Sequence, residues 1–261
     1  MVSSSKYDEK QSRATERIYR SPEIARQRLR TLERLALRAG EHVLDVGCGP
    51  GFLVRDMAMT VGDQGQVVGV DSSEPMLELA RRRCSGFDQI RLVQGRAESI
   101  AEADAAFDAV SCTQVLLYVT EVAAALAEMH RVLKSGARIA IVETDWRGAV
   151  IGGPDPKLSR RVLDAWDESV ASPNLPVKLG TLLRKHGFDA VSVEAIPVLS
   201  TSYTANNYAV GMLDSLASYA QKLGAVDQAS AEQWLGNLRR LGSAGEFFFC
   251  VNRFLFVAVK T

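Results

Sequence analysis

The chain has 261 residues, of which 47% are hydrophobic, 24% charged and 7% aromatic, with 31 Lys and Arg against 31 Asp and Glu. This is the balance of a globular protein with a packed core, not of a disordered, fibrous or membrane chain, and a net charge of zero leaves no field to hold a polyphosphate backbone, so nucleic acid is not an expected partner. Met1 to Asp8 lacks the apolar stretch of a signal peptide, and no 18-residue apolar run exists to span a bilayer, so a cytoplasmic chain without membrane contact is expected.

Residues 6–40 carry ten Lys and Arg against five Asp and Glu, with Ile24, Leu29, Leu32, Leu35 and Leu37 at roughly helical spacing after the helix start Ser21-Pro22-Glu23. A helical N-terminal segment is expected. His42–Val46 reads as a strand, Gly47–Gly51 as a glycine-rich turn and Phe52–Val61 as a helix. Gln66–Val70 is the next strand, Ser72 or Ser73 caps a helix over Glu74–Arg83, and Ile90–Val93 is a third strand. Phe107–Cys112 is a fourth strand, followed by a helix over Glu121–Lys134 closed at Ser135-Gly136 and by a fifth strand, Ala137–Val142. Strands alternating with helices predict a mostly parallel sheet covered on both faces, with its ligand beyond the carboxyl ends of the strands.

Beyond Glu143 the alternation loosens. Gly152–Pro156 reads as a loop, Lys157–Val170 as a helix, Ser172–Pro176 as a loop, Lys178–His186 as a helix ended by Gly187, and Ala190–Val198 as a strand. Residues 200–244 look helical, and the aromatic and β-branched run Phe247–Val259 is a closing strand, which makes 200–244 an insertion.

The segment Val43-Leu44-Asp45-Val46-Gly47-Cys48-Gly49-Pro50-Gly51-Phe52 runs an apolar strand into three alternate glycines and a helix. The third glycine falls one position too early for GxGxxG, and Pro50 removes an amide that would cradle an anion, so a dinucleotide phosphate site is disfavoured and an NAD-type oxidoreductase is the weaker reading. With Asp71 ending the next strand, this pattern resembles class I S-adenosylmethionine-dependent methyltransferases from about Glu41 to Asp145.

The resemblance implies a Rossmann-like, doubly wound, mostly parallel seven-stranded sheet whose last strand is antiparallel, with an N-terminal helical lid (1–40) on a methyltransferase domain (41–261). It implies S-adenosyl-L-methionine as cofactor and S-adenosyl-L-homocysteine as product. Asp71, followed by Ser72, takes the position of the acidic residue that holds the ribose hydroxyls. Asp45, Gly47, Cys48, Gly49 and Gly51 match the first motif, in which the acidic member orients the loop and the cofactor's amino group. Gln94–Glu98 resembles the adenine-recognition stretch: the Ala97 amide serves an adenine nitrogen, and Arg96, standing where the family has Asp or Asn, or Glu98 serves the amino group. Met76 lies either on the adenine face or in the core.

Cys112, Thr113 and Gln114 fall where the superfamily lines the reacting methyl group. Leu116–Val119 and Arg131–Gly136 resemble the small-molecule branch that includes quinone-ring C-methyltransferases and natural-product enzymes of secondary metabolism. The chain has no Pro-Pro of the nucleic-acid amino-methyltransferases, and after strands four and five only Asp145 could serve a magnesium ion, so no metal is expected. Cys48, Cys84, Cys112 and Cys250 lack CxxC spacing and read as thiols.

The expected reaction is methylation of an O, N or C nucleophile on a small, largely apolar or aromatic metabolite; a non-catalytic or repurposed S-adenosylmethionine-binding protein is the alternative. His42, His130 and His186 read as structural, and Tyr118 as a proton acceptor, a ring-stacking partner or core. Arg20 and Arg28 either reach the cofactor's carboxylate from the lid or face solvent. Trp146, Tyr203 and Tyr208 are expected substrate contacts within cap segments at about 146–178 and 200–244. A homodimer is compatible with this reading.

Overall fold

The computed structural model describes residues 15–261. The part of the expected N-terminal lid before residue 15 lies outside the described residues. Residues 15–19 are helical, and a turn at Ser21-Pro22 starts α1, Pro22–Leu35. Pro22 suits the first turn because it gives up an amide that has no intrahelical partner. The buried stripe of α1 is Ile24, Gln27, Thr31 and Leu35, whereas Leu29 is 65% exposed. The apolar spacing therefore misplaces this face, because two of its four inward positions are polar.

The alternating units follow as β1 (His42–Val46), α2 (Phe52–Val61), β2 (Gln66–Asp71), α3 (Glu74–Arg83), β3 (Ile90–Gln94), β4 (Phe107–Thr113), α4 (Val122–Val132) and β5 (Leu133–Thr144). After them come β6 (Val150–Ile151), α5 (Pro156–Asp167), α6 (Leu175–Lys185), β7 (Phe188–Ser200), α7 (Tyr208–Lys222), α8 (Gln228–Ala244) and β8 (Phe249–Lys260). The sheet runs β3-β2-β1-β4-β5-β8 with β7 on the outer edge of β8. The first five strands are parallel; β8 is antiparallel to both β5 and β7.

Eight strands are present where seven are expected. The addition is the two-residue β6, which pairs with Cys250 and Phe249 of β8 and is too short to leave a periodicity. The helix expected to run to Lys134 stops at Val132, because Leu133 already pairs with Phe107. The ladder resumes at Ala109 with Arg138, so Ser135-Gly136 sits in an irregularity of β5. The loop expected through Pro176 gives way to α6 at Leu175, with the proline in the first helical turn.

Three clusters bury the apolar surface. One lies against α4 and α6 and includes Leu126, Met129, Leu179 and Phe188. A second, on the opposite face, packs Leu35 of α1 with Val54, Met57 and Val61 of α2 against β1 and β2. A third belongs to the later helices and includes Trp146, Leu163, Tyr208, Leu216, Trp234 and Phe249. Asp155, Asn207 and Asp227 cap α5, α7 and α8 by accepting the amides of Leu158, Val210 and Ser230 at 2.9, 2.9 and 2.7 Å, each such cap contributing about 1 kcal/mol. Among the described residues no helix is long and apolar enough to cross a membrane.

Candidate active site

The glycine-rich turn is fastened to the end of β2 by its own amides. Gly47 and Cys48 donate to the Val70 carbonyl at 2.7 and 3.0 Å, and Gly49 donates to Asp71 Oδ2 at 2.8 Å. Asp71 Oδ1 accepts the Ser73 amide at 2.9 Å, so this carboxylate also starts α3, whose N-cap Ser73 makes no side-chain cap bond. Burial pushes the Asp71 carboxyl up, against the lowering effect of these amides.

The three glycines differ in what they do. All have positive φ, at +72°, +52° and +77° for Gly47, Gly49 and Gly51, a region that costs an L residue about 1–2 kcal/mol. A Cβ on Gly51 would stand 2.9 Å from Ala80 Cβ and 3.0 Å from Ala80 Cα, so this glycine lets α2 approach α3. A Cβ on Gly49 would meet nothing within 4 Å. Gly51→Ala is therefore expected to cost about 2–4 kcal/mol in urea denaturation, whereas Gly49→Val should lower cofactor affinity at least tenfold with a smaller loss of stability. Equal stability losses in the two variants would refute the distinction.

A cleft of about 630 Å³ opens beyond the carboxyl ends of the strands. Gly47, Gly49, Asp71, Ser72 and Met76 line one part of it, and Arg96, Ala97 and Glu98 another. Met76 is 3% exposed, so it belongs to the core and to the cleft wall at once. Arg96 donates to Glu98 at 2.8 Å, and the two form an ion pair at the rim. Thr113, Gln114 and Tyr118 line the third part.

Asp45, Cys48 and Gly51 do not line this cleft. Asp45 and Cys48 border a small cavity of about 30 Å³ beneath α1, together with Gln27, Arg28 and Thr113. Asp45 accepts a hydrogen bond from the Ser111 hydroxyl, and burial pushes its carboxyl up to about 7 against that bond. Burial also pushes the Cys48 and Cys112 thiols up. Thr113 Oγ1 is buried without a hydrogen-bond partner among the described residues. Arg28 is held by Asp56 at 2.8 Å and Arg20 by Glu16 at 3.1 Å, so neither is directed into the cleft.

The segment after β4 is fixed from β5. Gln114 adopts φ +58° and its amide donates to the Val142 carbonyl at 2.8 Å, while its Oε1 accepts from Thr144 Oγ1 at 2.6 Å. Glu143, fully buried, accepts the amides of Val115 and Leu116 on Oε1 at 3.1 and 2.7 Å, which sets the short 3-10 turn Leu116–Tyr118. Burial pushes the Glu143 carboxyl up to about 8, with buried Arg253 pulling the other way. Arg253 in turn donates to Gln27 of α1. Sequence reasoning passes over Glu143; its signal is a carboxylate directly after the apolar run Ile139–Val142 of a central strand.

This geometry coincides with a family assignment. A family described as a methyltransferase domain matches residues 37–173, just over half of the chain. The chain belongs to the methyltransferase-domain family. A relative, an uncharacterized 37.1 kDa protein in transposon TN4556 of Streptomyces fradiae, is 32% identical over 231 residues, 88% of this chain and 66% of that protein. A demethylmenaquinone methyltransferase of Staphylococcus aureus strain JH9 is 36% identical over 117 residues, 45% of this chain and 48% of the relative. The chain thus spans about half to two thirds of the length of these curated relatives. Among solved structures, phosphoethanolamine N-methyltransferase 2 of Haemonchus contortus in complex with S-adenosyl-L-methionine shares the fold, with a TM-score of 0.65 at 22% identity over 100% of this chain and 60% of that one. The resemblance to class I methyltransferases and the Rossmann-like architecture it implies are borne out.

Residues from the expected N-terminal lid and from the first expected cap segment line the cleft, whereas the second cap segment does not. Thr15 and Tyr19 line the cleft, as do Glu168 to Ala171 after α5, and no residue of 200–244 does. Trp146, Tyr203 and Tyr208 are not brought to the cleft: Trp146 meets Trp166 edge-on, Tyr203 meets Phe247, and Tyr208 packs on Phe249. The later helices need these rings for a core of their own. The insertion instead backs the roof, since a Cβ on Gly211 of α7 would stand 2.7 Å from Ile18 Cγ1.

The N-terminal roof is latched to the core by Arg83, which donates to the Pro50 carbonyl and to Glu16 and lies 3.5 Å over the Phe52 ring. The second roof element is tied to the floor by the Ser172 amide, which donates to the Leu117 carbonyl at 3.0 Å. The three histidines stand elsewhere: His42 begins β1, His130 meets Phe188 edge-on, and His186 Nδ1 lies 2.8 Å from the Leu182 carbonyl. Among the described residues no group of His, Cys, Asp and Glu is arranged to hold a metal.

Proposed function

We propose that this cleft binds S-adenosyl-L-methionine and that the protein transfers its methyl group to an O, N or C nucleophile of a small, largely apolar or aromatic metabolite, releasing S-adenosyl-L-homocysteine. The observation that carries this reading is Asp71: a carboxylate at the end of β2, bonded to the glycine turn and lining a cleft beyond the carboxyl edge of the sheet. The residues present fit the cofactor. The open space over Gly49 admits a ligand against the backbone, and Asp71 supplies the two acceptor oxygens that a vicinal diol needs.

In this assignment Asp71 holds the ribose, Met76 and the Arg96–Glu98 stretch border the adenine, and Gly47 and Gly49 face the amino-acid part, with Asp45 acting from beneath through the loop. When bound, the cofactor supplies a methyl group on a positively charged sulfur. The protein's task is alignment, which can contribute roughly 7–11 kcal/mol to lowering the barrier without a strong base. Glu143 fixes the turn that carries Tyr118, and the roof at 15–19 and 168–171 keeps water from the reacting atoms.

Turnover of methyl-labelled S-adenosyl-L-methionine against a panel of phenolic, amine and quinone acceptors tests the reading; no transfer to any class in a protein that binds the cofactor would leave a binding protein only. Addition of S-adenosyl-L-homocysteine is expected to slow amide exchange at residues 15–20 and 168–172 and to leave 208–244 unchanged. Protection confined to 208–244 would restore the insertion as the cover.

A further inference from the structure

We infer that two copies of this protein pair face to face, about a two-fold axis, through one uncovered side of the closing strands. The inference is independent of what the cleft binds. Sheet register assembles the surface. Along β7 the residues alternate: Ile196, Val198 and Ser200 are buried on one face, and Val193, Ala195, Pro197 and Leu199 are exposed on the other. Pro197 pairs with Asn252 of β8 and Leu199 with Cys250, which pairs on its other side with Val150 of β6. Residues paired across a ladder project from the same face, so these side chains form one surface. Phe248, two residues before Cys250, continues it, and the Gly152 amide ties this end to β6 by donating to the Phe248 carbonyl at 2.8 Å.

Nearer the centre of the sheet α6 covers this face. A Cβ on Gly180 of α6 would stand 3.8 Å from the Phe256 ring and 4.0 Å from Val191. Beyond Phe254, which is half-buried at the margin, the strands run on to Phe248 for about 20 Å at roughly 3.4 Å per residue. The opposite face of this stretch is core, with Val198, Phe249 and Val251 in the third apolar cluster. The stretch is therefore apolar on both sides and covered on one.

Size, charge and shape select a second copy as the cover. Val150, Val193, Leu199 and Phe248 are 41–55% exposed and together present roughly 350 Å², enough for the apolar centre of an interface of about 800 Å² per partner with a polar rim. A two-fold axis sets a surface against itself, so a charged patch would meet its own sign. The outward positions named here carry no charge, and the formal net charge of zero adds no repulsion between copies. Branched and aromatic side chains on a pleated surface suit packing against a second sheet about 10 Å away. A lipid surface would call for basic residues among the apolar ones, and these positions supply none.

The test uses the full chain. Sedimentation at tens of micromolar is expected to give twice 28.4 kDa and to fall to the monomer on dilution. Cys250 reports the surface, because it is half-buried on this face while Cys48, Cys84 and Cys112 are buried; its alkylation by a maleimide should slow as the dimer fills. Leu199→Lys with Phe248→Lys should weaken association at least a hundredfold by placing like charges at the centre. Leu29→Lys, at an exposed apolar residue of α1, should leave it unchanged. Mixing the double-lysine chain with a Leu199→Glu, Phe248→Glu chain should restore the dimer, which misfolded variants could not do. A wild-type monomer at these concentrations, a dimer that survives the lysine pair, no dimer in the mixture, or equal Cys250 alkylation in monomer and dimer would each overturn the assignment. A monomer that floats with phosphatidylglycerol vesicles would overturn it in favour of a lipid surface.

Discussion

Asp71→Ala is expected to lower S-adenosyl-L-homocysteine affinity by at least a hundredfold in a chain that still folds. In the proposed assignment the variant removes two charge-assisted hydrogen bonds to the ribose, each contributing about 1.5–3 kcal/mol, and it releases the Gly49 amide that Asp71 accepts at 2.8 Å. The fold loses less. The turn keeps the two amide bonds to the Val70 carbonyl, and α3 keeps the backbone bonds from Met76 and Leu77 to the Ser73 carbonyl, both 3.1 Å. Asp71→Asn retains one acceptor oxygen and should fall between the two. Calorimetry showing wild-type affinity in a folded Asp71→Ala protein would remove Asp71 from the site, and with it the main support for the cofactor.

Glu143→Leu should destabilise the protein by about 2–5 kcal/mol, because the amides of Val115 and Leu116 lose their acceptor inside the core. Glu143→Gln keeps an acceptor oxygen, and here the pH dependence is diagnostic. Burial raises the folded-state pKa to about 8 from an ordinary value of 4.5, so the folded chain holds this proton over a range in which the unfolded chain has released it. The contribution of Glu143 is present in full below about pH 4.5 and is lost as the pH rises towards about 8. Asp45, raised to about 7, acts in the same sense. The melting temperature of Glu143→Gln relative to wild type should therefore climb between pH 5 and pH 8.5. A difference that stays flat across that range would mean that Glu143 is ionised in the folded state and that Arg253 compensates it.

The parts of the molecule that read clearly from sequence are those in which local pattern and tertiary role coincide. The strands β1, β2 and β4 are apolar runs because both faces are covered, and the glycines at 47, 49 and 51 must have positive φ wherever the chain folds this way. The residues from Gly47 to Gln114 that line the cleft follow from the same frame, since each closes a strand or opens the next turn. Where one residue type serves two purposes, pattern misleads. Trp146, Tyr203 and Tyr208 look like acceptor contacts because aromatic rings suit an apolar ligand, yet the insertion must bury its own helices, and the rings go there. Leu29 fits the apolar spacing of α1 but faces solvent, while Gln27 takes an inward place to meet Arg253. Glu168 to Val170 read as the end of a helix within an expected cap segment, but which of its residues face the cleft is set by the floor beneath them and not by their own periodicity.

β7 is thirteen residues long and forms one border of the sheet, with hydrogen-bonding partners on the β8 side alone. A straight border of that length is a template on which further chains can add strands and grow into aggregates. Two features spoil the template. The ladder shifts register between Asp189 and Ser192, and Pro197 stands at a position that a central strand could not give to proline. Arg30 and Arg34 of α1 also hold Glu194, at 2.6 and 3.7 Å, which keeps charge on the middle of the strand. Solubility of this fold is thus guarded at its most exposed seam by a kink, a missing amide and a charged clasp, and a change that straightens β7 is one to avoid when the protein is engineered for high concentration.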